Sequence, residues 1–329
     1  MNSLPTIAIS MGDPAGIGPE IIVKALADDG LRALAKWIVI GDHAGLAPVE
    51  AQTNVQLEHL ANVTLQTPGT LLSAPTPGQL SADCGRAALA CVRRAAELCL
   101  SGQTDAMVTA PLNKEAVTLS GARFTGHTEF IADLCGVKES RMLLINDRLR
   151  VLHVSTHCSL REACDLDAAR VAATLRLGHE ALGWLGLNRR RIGVCGLNPH
   201  GGEHGLFGVE DAQAIAPAIA GARAAGIDCH GPFPADTIFL RALRGEFDLV
   251  LAMYHDQGHI PMKLLDFDQT VNVSLGLPII RTSVDHGTAF DIAGQNRANA
   301  ENMKAALRLA VKLASSRRSR ELTNTGNFD

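Results

Sequence analysis

The stretch from Tyr254 to Gly294 decides how this chain is organised, and it reads YHDQGHIPMKLLDFDQTVNVSLGLPIIRTSVDHGTAFDIAG. Short apolar runs alternate there with glycine turns, and histidine, aspartate, lysine, asparagine and arginine are dense between them. Burying so many polar groups is costly unless they have partners. We therefore interpret this stretch as the wall of an active site, which needs a metal, a cofactor and a second wall from elsewhere.

Outward from this stretch, strand-like runs alternate with helical segments along the whole chain. Segments such as Gly85 to Ser101 and Asp167 to Leu185 have helical spacing. The predicted strands are Thr6 to Ser10, Trp37 to Gly41, Ala106 to Thr109, Arg150 to Ser155, Arg191 to Gly196, Leu249 to Met253 and Val271 to Ser274. This rhythm predicts an α/β protein with a largely parallel sheet.

Length and composition bound the class of function. The chain has 329 residues, enough for two domains, and its 47% hydrophobic and 19% charged residues are typical of a globular protein. A net charge of -4 without basic clusters argues against nucleic acid and favours a small-molecule partner. Neither a signal peptide nor a membrane span is indicated, so we expect a cytoplasmic protein with no membrane partner.

The eight cysteines form no CxxC pair and lie mostly among apolar residues. We therefore expect reduced thiols in the core. A catalytic thiol is the alternative, and Cys158 beside His157 is its only serious candidate.

Glycines follow the first strand in GDPAGIGPE, residues 12–20, where the three glycines would let a ligand approach the backbone closely. The spacing is neither GxGxxG nor a Walker loop, so a tight turn between strand and helix is the alternative.

Lys114 in TAPLNKEA follows another strand and is a candidate site residue or a surface lysine. His127 and Thr128 in FTGHTEF are candidates for binding an anionic substrate, or belong to a structural turn.

Three histidines each follow a strand-like run, namely His157, His200 and His255. If they converge, three imidazoles would form an open site for a divalent metal, and three separate loop histidines are the alternative. Asp236 and Asp256 could then orient the ligating rings.

Lys263, Asn272 and Arg281 suggest a phosphorylated substrate, because lysine and arginine both bind phosphate well. The loop HGTAFDIAG, residues 286–294, contains an acidic side chain that could accept hydrogen bonds from the ribose of NAD. A capped turn before the last helix is the alternative for this loop.

Taken together, eight ordered motifs resemble the 4-hydroxythreonine-4-phosphate dehydrogenase (PdxA) family over Thr6 to about Leu313. They are GDPAGIGPE, GHTEF, VSTH, GLNPHGGE, PADT, AMYHDQG, GLPIIRTS and DHGTAFDIAG. The resemblance implies two α/β/α domains around a cleft, as in isocitrate and isopropylmalate dehydrogenases. Following that wider group, we place residues 1–130 and 281–329 in the first domain. Residues 131–280 form the second, with the metal ligands and a dimer interface.

The resemblance also implies roles for individual residues. It implies that a divalent metal, with zinc expected before magnesium or cobalt, is held by His157, His200 and His255. Substrate would be bound by His127, Thr128, Lys263, Asn272 and Arg281. The candidate cofactor residues for NAD or NADP are Gly12, Gly16, Gly287, Thr288 and Asp291, and Phe290 departs from the proline usual in the wider group. The proton acceptor is left open among Lys114, Asp236 and Asp256. The family's enzymes are homodimers with the site at the subunit interface.

The implied reaction is oxidation of the C3 hydroxyl of 4-phosphooxy-L-threonine by NAD, followed by decarboxylation to 3-amino-2-oxopropyl phosphate in pyridoxal phosphate synthesis. The same chemistry on 4-phospho-D-threonate or 4-phospho-D-erythronate in sugar-acid catabolism is the alternative within the family. Oxidation of a ring diol without phosphate fits Asn272 and Arg281 poorly. From other classes, a phosphate acyltransferase and a non-catalytic metal-binding module remain as alternatives.

Overall fold

The computed structural model describes residues 3–325, with side chains described up to Arg320. Its strands are β1 Thr6–Ser10, β2 Lys36–Ile40, β3 Val63–Gln66, β4 Ala106–Thr109, β5 Arg141–Ile145, β6 Arg150–His153, β7 Ile192–Cys195, β8 Cys229–Phe233, β9 Leu249–Ala252, β10 Val271–Leu275 and β11 Ile280–Val284. The α/β class predicted from the alternation is confirmed.

The α-helices are α1 Gly18–Leu26, α2 Asp29–Arg32, α3 His43–Thr53, α4 Ala82–Leu100, α5 Lys114–Leu119, α6 His127–Leu134, α7 Leu160–Cys164, α8 Ala168–Trp184, α9 Ala216–Ala224, α10 Ala235–Leu243, α11 His255–Leu265 and α12 Glu301–Thr325. A short 3₁₀ segment covers Leu57–His59, turns of largely left-handed backbone cover Pro199–Gly205, and a π-helical turn covers Asp211–Ile215. No helix in the described residues is long and apolar enough to cross a bilayer.

Two compact units divide the chain. The first contains the described residues up to Ser140 and from Leu277 onward, and the second is Arg141–Gly276. These limits lie at 140/141 and 276/277, compared with the predicted limits at 130/131 and 280/281.

In the first unit every strand pairing is parallel, in the order β3, β2, β1, β4, β11. β4 is buried along its whole length and β1 along all but its first residue, because central parallel strands are covered by helices on both faces. The registers align Ser10 with Thr109 and Thr109 with Ser283. These three side chains therefore lie in one row near the carboxyl ends of neighbouring strands.

The second unit mixes parallel and antiparallel pairing. Its order is β10, β5, β6, β9, β7, β8, and β5 runs antiparallel to both of its neighbours. The β5–β6 hairpin was absent from the sequence-based prediction. Its turn is fixed by Asn146, whose Oδ1 accepts from the backbone N–H groups of Arg148 at 3.0 Å and Leu149 at 2.9 Å.

Helix starts follow the chemistry of the residues before them. Ser81 accepts from the N–H of Cys84 to begin α4, and Asp167 accepts from that of Arg170 to begin α8. The predicted helices at 85–101 and 167–185 are thereby confirmed to within three residues at each end. Four strands were not predicted, namely β3, β5, β8 and β11.

Candidate active site

The turn after β1 is fastened to the loop that precedes α5. Gly12 has a φ of +74°, and a β-carbon there would lie 2.3 Å from the carbonyl oxygen of Pro111. The backbone N–H of Asp13 donates to that same oxygen at 2.9 Å. Only glycine combines this backbone angle with so close an approach, so Gly12 is explained by protein packing. Its contact with a cofactor stays a prediction.

Asp13 is a site residue that the sequence-based reasoning missed. Its side chain is fully buried, Oδ1 accepts from the N–H of Ala15 at 2.9 Å, and the N–H of Asn113 also donates to the carboxyl. Burial raises its pKa from 3.8 to about 6, against the lowering effect of these two donors. Oδ2 has no partner among the described residues. An aspartate three residues after the end of a strand-like run was the signal available in the sequence.

Arg281 is the buried cation of the first unit. It is 2% exposed on β11, and its Nε and Nη2 donate to Thr109 Oγ1 on β4 at 3.2 and 2.7 Å. Burial lowers its pKa to about 10, and the carboxylate of Glu129 opposes that shift. A guanidinium still charged at neutral pH in such surroundings is suited to an anionic ligand.

His127 and Thr128 begin α6, after Gly126 at the helix N-cap. Burial and the positive charges of Arg281 and Lys114 hold the pKa of His127 well below 6.5, so its imidazole is neutral. His127 Nε2 is buried without a partner among the described residues. The structure thus brings Lys114, His127 and Arg281 together, as a binding site for an anion requires.

The predicted cofactor loop packs on the turn after β1. A β-carbon on Gly16 would lie 2.9 Å from the carbonyl oxygen of Thr288, and the N–H of Ile17 donates to that oxygen at 3.0 Å. Gly287 and Asp291 are exposed, and an added β-carbon on Gly287 would meet no atom within 4 Å. The outer part of this loop is therefore open to a ligand, whereas Gly16 is occupied by packing.

In the second unit, His255 lies at the start of α11 within a cluster of rings. Its Nδ1 is 2.7 Å from Asp256 Oδ1, and its ring centroid is 6.1 Å from that of His157. A carboxylate on Nδ1 leaves Nε2 free, which is how metal-binding imidazoles are commonly oriented. The side chains of His157 and His255 therefore fit a divalent metal chemically.

Two further histidines in this cluster were not predicted. His259 stacks on His255 with ring centroids 3.6 Å apart and 11° between their planes, and its Nδ1 lies 3.0 Å from the carbonyl oxygen of His255. His153 is fully buried 4.7 Å from His259. The spacing of His255 and His259 by four residues on one helix was a readable signal.

His200 lies in a different environment. Its Nδ1 is 3.3 Å from Glu203 Oε2 in the NPHGGEHG segment, where residues 200–204 all have positive φ. Such a backbone is costly for a residue with a side chain and is often found at functional positions. Among the described side chains, no three His, Cys, Asp or Glu residues are grouped to hold a metal ion. Metal binding by His157, His200 and His255 therefore stays a prediction.

The remaining predicted residues of the second unit differ in burial. Asn272 is 7% exposed on β10, and its Oδ1 is a buried atom with no partner among the described residues. Lys263 is exposed on α11, 5.4 Å from the ring of Phe267. Asp236 is exposed in the first turn of α10, so of the two predicted orienting carboxylates only Asp256 is shown beside a predicted ligand.

Comparison with known proteins decides the family. Residues 32–310 match the family described as "Pyridoxal phosphate biosynthetic protein PdxA". The chain belongs to the PdxA family. The family predicted from the eight motifs is confirmed.

PdxA family relatives carry two different names. The chain is 48% identical over 324 residues to the D-threonate 4-phosphate dehydrogenase of Salmonella typhimurium, covering 94% of this chain and 99% of that protein. It is 46% identical over 327 residues to the 4-hydroxythreonine-4-phosphate dehydrogenase of Geobacter metallireducens, covering 95% of this chain and 96% of that protein. A crystal structure of a 4-hydroxythreonine-4-phosphate dehydrogenase from Burkholderia phymatum shares the fold, with a TM-score of 0.81 and 44% identity over 95% of this chain and 99% of that one.

In this PdxA family chain all eight cysteines are free thiols. Burial raises the pKa of Cys91 and of Cys99 to about 12, so both are protonated and unreactive at neutral pH. The expectation that the thiols lie in the core is confirmed for five of the eight cysteines. Cys158 and Cys164 differ, since both are exposed.

Proposed function

We propose that this chain is a nicotinamide-dependent dehydrogenase that oxidises the C3 hydroxyl of a phosphorylated four-carbon hydroxy acid. The observation that carries this proposal is the cationic site of the first unit. Buried Arg281 is held by Thr109, and burial together with the charges of Arg281 and Lys114 lowers the pKa of His127, so that its imidazole is neutral. A phosphate would accept hydrogen bonds from the guanidinium fork and from the ammonium.

The names of the relatives support two substrates. We propose D-threonate 4-phosphate first, because several relatives at 43 to 48% identity carry that activity in their names. The amine-bearing 4-phosphooxy-L-threonine, the first choice from the sequence resemblance, is the second candidate, supported by the Geobacter metallireducens protein at 46% identity. In both compounds the oxidised hydroxyl is next to the carbon that carries the carboxylate, so oxidation gives a β-keto acid prepared for decarboxylation.

A nicotinamide cofactor and a metal ion would supply two kinds of chemistry. NAD or NADP would accept hydride from C3, and a divalent metal would polarise the C3 oxygen. We propose His157, His200 and His255 as the metal ligands, with Asp256 fixing the orientation of the His255 ring. Zinc suits such nitrogen ligands best. The separate position of His200 and the interfacial site of the resembling enzymes favour a homodimer as the active form.

The chain's own residues would position substrate and proton. We propose that Lys263 and Asn272 assist Arg281 and Thr128 in orienting the phosphorylated acid. The neutral His127 donates or accepts a hydrogen bond without adding charge. Lys114, Asp236 and Asp256 are retained as candidate proton acceptors, and of these Asp256 lies beside a predicted ligand ring.

The cofactor would lie along the open part of the loop after β11. Gly287 leaves room for a ligand, and the exposed carboxylate of Asp291 can accept hydrogen bonds from the two ribose hydroxyls. The same carboxylate would repel a 2'-phosphate, so we propose that NAD is preferred over NADP.

The test is NADH formation, followed by its absorbance, with purified protein, NAD and added zinc. D-threonate 4-phosphate and 4-phosphooxy-L-threonine are compared side by side at equal concentration. We expect a higher kcat/KM for D-threonate 4-phosphate, and a preference for the amine-bearing compound would reverse the substrate proposal. If neither compound gives NADH, dehydrogenation is refuted, and acyl transfer to phosphate would be tested next.

A further inference from the structure

Glu129 is an acidic side chain among the basic groups of the first unit. It lies in the first turn of α6, two residues after His127. A β-carbon built on Gly126 would lie 2.5 Å from Glu129 Oε2 and 4.0 Å from Lys114 Nζ, so carboxylate and ammonium approach the same point. The carboxylate also favours the charged form of Arg281. Glu129 therefore interacts electrostatically with Arg281, and its carboxylate and the ammonium of Lys114 border the same point at the start of α6.

Arg281 and Glu129 differ in how exposed they are and in how firmly they are held. Arg281 is buried and fixed through two hydrogen bonds to Thr109, whereas Glu129 is an exposed side chain on the helix surface. An exposed glutamate that leaves its partners enters water, so its change of rotamer costs less than moving a buried charged side chain. An incoming anion can therefore displace the carboxylate but cannot displace the guanidinium.

Charge balance explains why such a carboxylate would be kept there. A buried guanidinium beside an ammonium is costly without a negative charge nearby. A bound phosphate would supply that charge, but it would then repel the carboxylate at short range. The same cations thus attract the phosphate and the glutamate, and the two compete.

We propose that Glu129 is a placeholder anion, which neutralises Lys114 and Arg281 before substrate binds and is displaced by the substrate's phosphate. This inference rests on the phosphate site of the proposed function. A placeholder at this position makes the site select a phosphorylated acid over free phosphate, because every phosphate-containing ligand must first displace the carboxylate. Free inorganic phosphate has no other contacts to offset that cost, whereas a phosphorylated acid binds through its other groups as well. Glu129 therefore weakens the binding of free phosphate to the site.

The test is calorimetric binding of inorganic phosphate to the full-length protein and to Glu129→Gln. Removing one like charge from the site should tighten phosphate binding about 10-fold. The matched control is Glu115→Gln, because Glu115 is also an exposed first-turn glutamate and adjoins Lys114. The control should change phosphate affinity by less than about twofold, since long-range effects of exposed charges are screened.

Two further variants separate the possible failures. Glu129→Asp keeps the charge but shortens the side chain, so its phosphate affinity should lie between those of the wild type and Glu129→Gln. Lys114→Met should weaken phosphate binding if the anion site exists. If it does so while Glu129→Gln binds phosphate no more tightly than Glu115→Gln, the placeholder alone is refuted. If neither the wild type nor Glu129→Gln binds phosphate, or if Lys114→Met binds it unchanged, the phosphate site is refuted and the placeholder with it.

Discussion

Asp13→Asn should stabilise the protein at neutral pH while leaving its stability in acid almost unchanged. The wild-type carboxyl is fully buried and accepts from the N–H groups of Ala15 and Asn113. The asparagine side chain has the same shape, and its oxygen can accept the same two bonds. What the substitution removes is the negative charge, which burial makes unfavourable.

The size and sign of this change in unfolding free energy follow from the pKa of Asp13. It is 3.8 in the unfolded chain and about 6 in the folded protein, so folding favours the protonated form. Below 3.8 both states are protonated and the group costs nothing. Between about 3.8 and about 6 the unfolded chain ionises while the folded protein stays protonated, so the cost grows by about 1.4 kcal/mol per pH unit to about 3 kcal/mol in total, and it is constant at higher pH.

The assay is urea-induced unfolding of wild type and Asp13→Asn in parallel, at several values between about pH 4 and about pH 7. The difference in unfolding free energy between the two proteins should grow by about 3 kcal/mol across that window. The control is Asp83→Asn, which removes an exposed carboxylate paired with Arg86. Its effect should stay below about 1 kcal/mol, because exposed ion pairs contribute little.

One result would refute the reasoning directly. If Asp13→Asn and the wild type differ by the same amount at every pH, the carboxyl of Asp13 has no raised pKa. A loss of stability that grows with pH would show that the ionised carboxylate is favoured, for example by a donor to Oδ2.

Three further predictions concern packing, substrate and metal. Gly12→Ala should cost about 2 kcal/mol or more in unfolding experiments, whereas Gly69→Ala, with the same φ of +74° but open space around it, should cost about 1 kcal/mol. Arg281→Lys should raise the KM for D-threonate 4-phosphate about 10-fold, because lysine lacks the planar fork. His255→Ala should weaken zinc binding in equilibrium dialysis about 10-fold or more, whereas His43→Ala should not.

Local sequence predicted the elements that are determined by neighbouring residues. The strands Thr6–Ser10 and Ala106–Thr109 were predicted with the bounds that the structure shows. Both are short apolar runs that end at polar residues or turns, and parallel strands buried on both faces have this pattern. The helices after Ser81 and Asp167 were predicted from their helical spacing, and the residues that cap them also lie next to them in the chain.

The strands that were missed depend on partners distant in sequence. β11 contains the motif residue Arg281 but was not predicted as a strand, because proline and glycine precede its short run. Its pairing with β4 joins Arg281 to Met107 and places the guanidinium against Thr109, 172 positions away in the chain. No local pattern contains that contact.

The sequence by itself therefore determined the α/β class, through the alternation of strand-like and helical segments, and the family, through short motifs in a fixed order. The substrate residues named from the same motifs stay a proposal. Only the tertiary structure decided that Asp13 is buried with a raised pKa, that His127 is neutral and that the charge of Glu129 acts on Arg281. The physical reason is desolvation and proximity, since the pKa of a side chain is set by the groups and the water that surround it after folding.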